Sequence, residues 1–127
     1  DTGTAWPREW ILGACTEHVA TPTAGEYVDF YWNASPNATA GTGNCGAASG
    51  ADGVFNVLGL PQLEWIGQLT LRAATINIDA NCGSIWLPYL YGSLIVHNVC
   101  PTKAMGAAMD ECHFTLTPTI PDGQAAA

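Results

Sequence analysis

Apolar and polar residues alternate along much of this chain with a period of two rather than 3.6. In residues 26–33, the apolar side chains of Val28, Phe30 and Trp32 fall on every second position. Because successive side chains of a β-strand point to opposite faces, this segment predicts a strand with one buried face. Clusters of Gly, Pro, Asn and Thr separate further short apolar segments, which predict strands in residues 54–58, 68–73, 75–79, 84–87, 93–99 and 112–117.

This spacing of strands in 127 residues predicts an all-β fold with a single domain. We expect a disulfide-stapled β-sandwich of about seven short strands, with a small β-barrel as the alternative. Residues 25–120 would form the sandwich and residues 121–127 a flexible tail. Residues 1–24 would be an N-terminal extension or a first strand, which a neighbouring copy could exchange. Helical composition is confined to residues 103–111, which predict a short helix.

Charged residues make up 11% of the chain and hydrophobic residues 48%, and the formal net charge is −8. The basic residues are Arg8, Arg72 and Lys103, too few for a phosphate-binding surface, so we expect no nucleic-acid partner. Residues 80–102 lack charge, but Pro88 and several glycines interrupt them, which predicts buried strands and no membrane insertion. A surface so poor in charge is typical of a protein covered by sugar or by a partner.

The five cysteines include no CxxC pair and no spacing typical of a zinc site. Disulfides persist in oxidising compartments, so we expect a secreted protein that acts extracellularly or at the cell surface. Pairing of Cys100 with Cys112 and of Cys45 with Cys82 would each stabilise the fold by about 2 to 4 kcal/mol. Cys15 is then left over, either for an intermolecular disulfide or as a buried free thiol.

Two acceptor patterns for N-linked sugar begin at Asn33 and Asn37, directly after a predicted strand and within a turn-rich segment. Pro36 follows the first pattern immediately, so we favour Asn37 as the glycosylated residue. Occupancy of either site requires a source that glycosylates its secreted proteins.

Few residues match a pattern with known chemistry. The Asp-Thr-Gly triplet at residues 1–3 matches the aspartic-protease motif, but no apolar strand precedes it and no second copy follows. His18, His97 and His113 could bind a metal together with carboxylates, but their spacing is weak. No serine lies in a nucleophile elbow. We therefore expect no catalytic residue, cofactor or metal site, and a small metal-binding or hydrolytic enzyme is the third function considered.

Aromatic residues suggest a second function, a secreted lectin-like module that binds carbohydrate. Trp86, Tyr89 and Tyr91 flank a proline in a predicted loop, where exposed rings could stack on the flat faces of glycans. The alternative is that these rings fill or rim the core.

The first function considered is protein association. Edge strands are normally protected by Lys or other charges, and this chain has few charges of either sign. An N-terminal segment with Trp6, Trp10, Ile11 and Leu12 could pair with a neighbour's open sheet and build a filament. Alternatively, it forms the first strand of its own sheet. We expect a non-enzymatic extracellular structural protein, a self-assembling fibre subunit that forms a homo-oligomer or binds a surface protein.

Overall fold

A computed structural model describes residues 9–39, 53, 57–87, 91–101, 103–108 and 110–119 of the chain. Trp6, Cys45, Tyr89 and the tail at residues 121–127, for which the sequence makes predictions, lie outside these ranges. The described residues form six strands and one 3-10 helix. In chain order they are β1 (Glu9–Glu17), β2 (Tyr27–Ser35), the 3-10 helix (Val57–Gln62), β3 (Glu64–Thr70), β4 (Ile76–Trp86), β5 (Tyr91–Asn98) and β6 (His113–Pro118).

The strands form two three-stranded sheets, with the orders β4-β1-β6 and β3-β2-β5. Every pairing is antiparallel. In each sheet the central strand, β1 or β2, pairs with both of the other strands. This confirms the predicted all-β class. No helix within the described ranges is long and apolar enough to cross a membrane.

Several predicted elements differ from the observed ones. In the strand predicted at residues 54–58, the described residues 57 and 58 begin the 3-10 helix, and the strand predicted at residues 68–73 is β3, which begins at Glu64 and ends at Thr70. The segments 75–79 and 84–87 belong to one strand, β4, because its residues 80–82 bulge opposite Gly13 without ending the pairing with β1. The described part of segment 103–111 is not helical. Its backbone pairs instead with the end of β1: Met105 bridges to His18, and the N–H of Gly106 donates to the carbonyl of Glu17 at 2.7 Å. These tertiary hydrogen bonds outweigh a weak local helix propensity.

The two sheets share one hydrophobic core. The inward side chains of β1 and β2 are completely buried at Leu12, Val28 and Phe30. Across the core, the rings of Phe30 and Phe114 meet edge to face with their centroids 5.7 Å apart. Because these two residues belong to different sheets, the contact ties the sheets together.

Cys82 and Cys112, two of the residues predicted to form disulfides, carry free thiols in the structure. Cys15, Cys82 and Cys112 are free thiols, and the Cys112 thiol donates to the carbonyl of Glu17 at 3.7 Å. The Cys100 thiol donates to the carboxylate of Glu26 at 3.0 Å. Disulfide stapling is therefore not shown, and the partner predicted for Cys82 lies outside the described residues.

Candidate functional site

One side of the molecule, which we call the closed flank, is sealed where β3 meets β4. The carbonyl oxygen of Cys82 occupies the position that a side chain on Gly67 would need. The carbonyl oxygen of Ile66 likewise occupies the position that a side chain on Gly83 would need. A Cβ atom on Gly83 would also lie 3.4 Å from the Cα atom of Gly67. Two glycines therefore let the edge strands of the two sheets approach to backbone contact.

The opposite side, which we call the open flank, carries the edges of β5 and β6. Within the described ranges no strand pairs with the outer edge of either one. The inward side chains here, Leu94 and Val96 on β5 and Phe114 and Leu116 on β6, pack on the core but stay half-buried. On the closed flank the corresponding side chains of β3 and β4 are buried. The apolar core is therefore less completely covered at β5 and β6 than at β3 and β4.

Neither strand of the open flank carries a charged residue. The eight residues of β5 and the six of β6 contain no Asp, Glu, Lys or Arg, and the single proline, Pro118, is the last residue of β6. Edge strands of monomeric proteins are usually blunted by charges, prolines or bulges, because their open N–H and C=O groups can pair with another chain. These two edges lack that protection.

The outer surface of sheet β4-β1-β6, which we call the isoleucine face, carries apolar side chains in its middle, and Glu9 and Glu17 lie at its two ends opposite Trp86 and Ile76. Alternation along β1 directs Ile11 and Cys15 outward, and the register places Ile78 beside Cys15. Ile76, Ile78 and Trp86 on β4 are among the most exposed large apolar side chains of the described chain.

The outer surface of sheet β3-β2-β5 is different and combines rings with polar groups. We call Tyr27, Asp29, Tyr31, Trp65 and Gln68 the aromatic face. Asp29 accepts two hydrogen bonds on one carboxylate oxygen, from Trp65 Nε1 at 3.2 Å and from Gln68 Nε2 at 3.0 Å. Trp65 lies opposite Tyr31 in the register between β3 and β2. The indole is 56% exposed although its N–H is held in place.

A buried polar cluster lies where β1 ends. His18 is only 2% exposed, and among the described residues neither of its ring nitrogens has a partner at hydrogen-bond geometry, although the Asn98 side chain lies next to it. Beside it, Asn98 donates to the carbonyl of Lys103 at 2.8 Å and accepts from the N–H of Cys100 at 3.1 Å. Glu26 accepts from the N–H of Thr23 at 2.6 Å and from the Cys100 thiol.

The environment of this cluster shifts two pKa values downward. Burial lowers the pKa of His18, and the neighbouring Asn98 side chain and Glu26 carboxylate offset part of that effect. The pKa of Glu26 is lowered by the hydrogen bond from Cys100 and then by that from Thr23. His18 is therefore neutral near pH 7 and Glu26 is ionised. The Cys100 thiol acts as a hydrogen-bond donor. This arrangement therefore stabilises the segments at the ends of β1, β2 and β5 rather than preparing a nucleophile.

The predicted assembly residues lie in the middle of a sheet. Trp10, Ile11 and Leu12 belong to β1, which pairs with β4 on one side and β6 on the other. This is the geometry of a first strand in its own sheet. Both edges of these three residues are therefore already occupied within the chain.

The predicted glycan-stacking residues are divided between the sheets. Trp86 ends β4 and is 56% exposed, whereas Tyr91 begins β5 in the other sheet and is also exposed. The ring that the sequence pattern missed is Trp65. Its position beside Asp29 depends on a pairing between residues 36 apart in sequence, for which the sequence carries no local signal.

The two acceptor asparagines have opposite environments. Asn33 is completely buried within β2. Asn37 is exposed in the turn that follows, where its Oδ1 accepts the N–H of Thr39 at 2.8 Å. Their occupancy by sugar stays a prediction.

The three histidines lie apart in the fold, after β1, in β5 and in β6. Within the described ranges, no group of three or more His, Cys, Asp or Glu side chains is placed to hold a metal ion. Comparison of the chain with protein-family models, with curated proteins and with solved structures finds no match.

Proposed function

We propose that this protein is a non-enzymatic structural protein of an extracellular assembly, and that it associates with other copies of itself through the open flank. In this proposal the two sheets form a β-sandwich whose core is completed by a second copy. The observation that supports it is the combination of uncharged edges with half-buried core side chains at Leu94, Val96, Phe114 and Leu116.

The position of the two edges favours a particular contact. Both open edges lie on the same flank, because Gly67 and Gly83 close the other one. Two open flanks facing each other across a two-fold axis parallel to the strands place β5 of one copy beside β6 of the other, twice. Such a contact is self-complementary, so it closes into a dimer instead of growing without limit.

Growth of a fibre from these dimers requires a second contact. The isoleucine face supplies an apolar surface on the outside of sheet β4-β1-β6, away from the open flank, with Ile76, Ile78 and Trp86 exposed. In our proposal this face joins one dimer to the next, which makes the complete assembly a chain of dimers. Secretion and disulfide formation belong to the same proposal, because disulfides persist in oxidising compartments.

The experiment is multi-angle light scattering across a wide range of protein concentrations. We expect masses of at least twice the 13.3 kDa chain. A double variant, Ile95→Lys with Thr117→Lys, places one lysine on each open edge and should weaken dimerisation by at least about tenfold, because charged edges resist pairing.

The matched control is Thr70→Lys with Asn81→Lys, whose β4 position is in the bulge opposite Gly13. It adds the same charge to β3 and β4 at exposed positions of the closed flank, and its oligomeric state should equal that of the unmodified protein. Circular dichroism and thermal unfolding establish that each variant folds. A folded unmodified protein that stays monomeric at high concentration, or equal weakening in both double variants, would contradict the proposal.

A further inference from the structure

We infer that the aromatic face is a binding site for a neutral polysaccharide chain. The aromatic face lies on the other sheet from the predicted residue Trp86, whereas the predicted residue Tyr91 lies on the same outer surface, opposite Ser35 at the end of β2. Its central group is Trp65, whose large exposed ring is fixed to the sheet by a hydrogen bond from Nε1 to Asp29 at 3.2 Å.

Fixing the ring matters because binding is weakened when mobile side chains must be ordered. Asp29 accepts hydrogen bonds from both Trp65 and Gln68 on the same oxygen atom. The indole and the amide therefore have fixed relative positions before any ligand binds. An indole face stacks on the apolar face of a pyranose ring, and a carboxylate and an amide beside it match the hydroxyl groups at the edge of the ring.

The site extends beyond one sugar unit. Tyr27 and Tyr31 lie on the same side of β2 with Asp29 between them, four residues apart, which corresponds to about 13 Å along a strand. Asp29 and Tyr27 reinforce the effect of burial in raising the pKa of Tyr31, so its phenol keeps its proton and can donate. A row of rings and polar groups along a strand fits an extended chain of sugars better than a single terminal sugar.

Charge decides which class of polysaccharide fits. The chain has a net charge of −8, and the aromatic face contains a carboxylate and no Lys or Arg. Sulfated or uronic-acid polymers would be repelled. Proline-rich peptides bind in grooves lined by aromatic side chains. Here the rings lie on the outer surface of an antiparallel sheet instead. Neutral polysaccharide is therefore the ligand class that we assign.

The test is isothermal titration of the full chain with linear hexasaccharides of β-1,4-linked glucose, N-acetylglucosamine, mannose and xylose. We expect at least one to bind, and Trp65→Ala to weaken that binding by at least about tenfold. Trp86→Ala is the matched control, because Trp86 is exposed to the same extent, 56%, but lies on the other sheet. Asp29→Leu removes the acceptor that positions the indole and should weaken binding while Trp65 remains.

Three outcomes would overturn the assignment: no binding of any hexasaccharide at millimolar concentration, equal loss in Trp65→Ala and Trp86→Ala, or tighter binding of a proline-rich decapeptide at Trp65. Light scattering of Trp65→Ala keeps this result separate from the assembly proposal, because this variant leaves β5, β6 and the isoleucine face unchanged. Loss of sugar binding with unchanged mass concerns the aromatic face alone.

Discussion

Gly67 of β3 and Gly83 of β4 lie against each other across the two sheets, each facing a backbone carbonyl oxygen of the opposite strand. Only a Cα hydrogen fits between each glycine and that oxygen, and such Cα–H···O contacts are weakly favourable. The pair closes one flank of the molecule and so leaves the open edges of β5 and β6 together on the other.

Replacing either glycine by alanine should destabilise the fold. Alanine normally stabilises a strand interior by about 0.5 to 1 kcal/mol relative to glycine. Here its methyl group would displace a backbone carbonyl, so we expect Gly67→Ala to lower the free energy of unfolding by about 1 to 3 kcal/mol. Urea unfolding measures the change, with Thr70→Ala at an exposed position of β3 as the control. Unchanged or increased stability would show that the flank is not closed at this point.

His18 makes stability depend on pH. Its folded pKa is lowered from 6.5 by burial, so the unfolded state binds a proton more readily. As the pH falls below 6.5, the unfolded state gains protons and stability is lost until the lowered folded pKa is passed. We expect the urea concentration at the unfolding midpoint of the unmodified protein to decrease as the pH is lowered from about 7.5 to about 5. The decrease should be smaller in His18→Asn.

The control for this experiment is His113→Asn, which removes an exposed histidine and should retain the full dependence on pH. Glu26 does not interfere in this range. Its pKa is lowered from 4.5, so its contribution to stability is present above that value and is lost at more acid pH. An identical pH dependence in His18→Asn and the unmodified protein would contradict the burial mechanism.

Cys82 should be less reactive than Cys15 and Cys112. Burial, assisted by the nearby charge of Asp79, raises its pKa to about 11, and the thiolate is the reactive form. At pH 8 iodoacetamide should modify Cys15 and Cys112, which are half-buried, well before Cys82. Peptide mass mapping with time follows each residue.

The same experiment tests the disulfide pairing predicted from the sequence. Alkylation after unfolding without a reductant labels Cys82 if it is a thiol and leaves it unlabelled if it is paired. Native Cys82 that reacts as fast as Cys15 would contradict its burial.

Sugar attached in a glycosylating host should be found at Asn37. Its side chain is exposed after β2, whereas Asn33 is completely buried and a glycan there would disrupt the packed strand. We expect Asn37→Gln to lose the mass of one glycan and to keep its stability. Asn33→Gln should keep the glycan and lose stability, by about 1 to 3 kcal/mol for an altered buried amide. Intact mass and thermal unfolding measure both effects, and a glycan retained in Asn37→Gln would contradict the assignment.

Alternation of Val28, Phe30 and Trp32 was sufficient to predict β2 and its buried face, because the period of side chains along a strand is a local property. The short helix predicted for residues 103–111 was wrong because the backbone there bonds to β1, almost ninety residues earlier in the chain. Local propensity contains no information about that partner.

The functional surfaces depended even more on distant pairings. Low charge in the edge strands could be predicted from composition, but the sequence did not show that β5 and β6 would be the edges left open. Trp10, Ile11 and Leu12 have the pattern of an exposed pairing strand, and the fold places them at the centre of a sheet. The apolar alternation of β1 does not indicate whether the strand will be central or at an edge.

By itself, the sequence determined the all-β class, the position of most strands and the scarcity of charge. These follow from side-chain alternation and composition, which act within a few residues. Tertiary structure alone decided the contact of Gly67 with Gly83, the open flank opposite it and the hydrogen bond from Trp65 to Asp29. Each of these joins residues far apart in sequence, and their meeting depends on strand register and sheet order, which the whole core sets together.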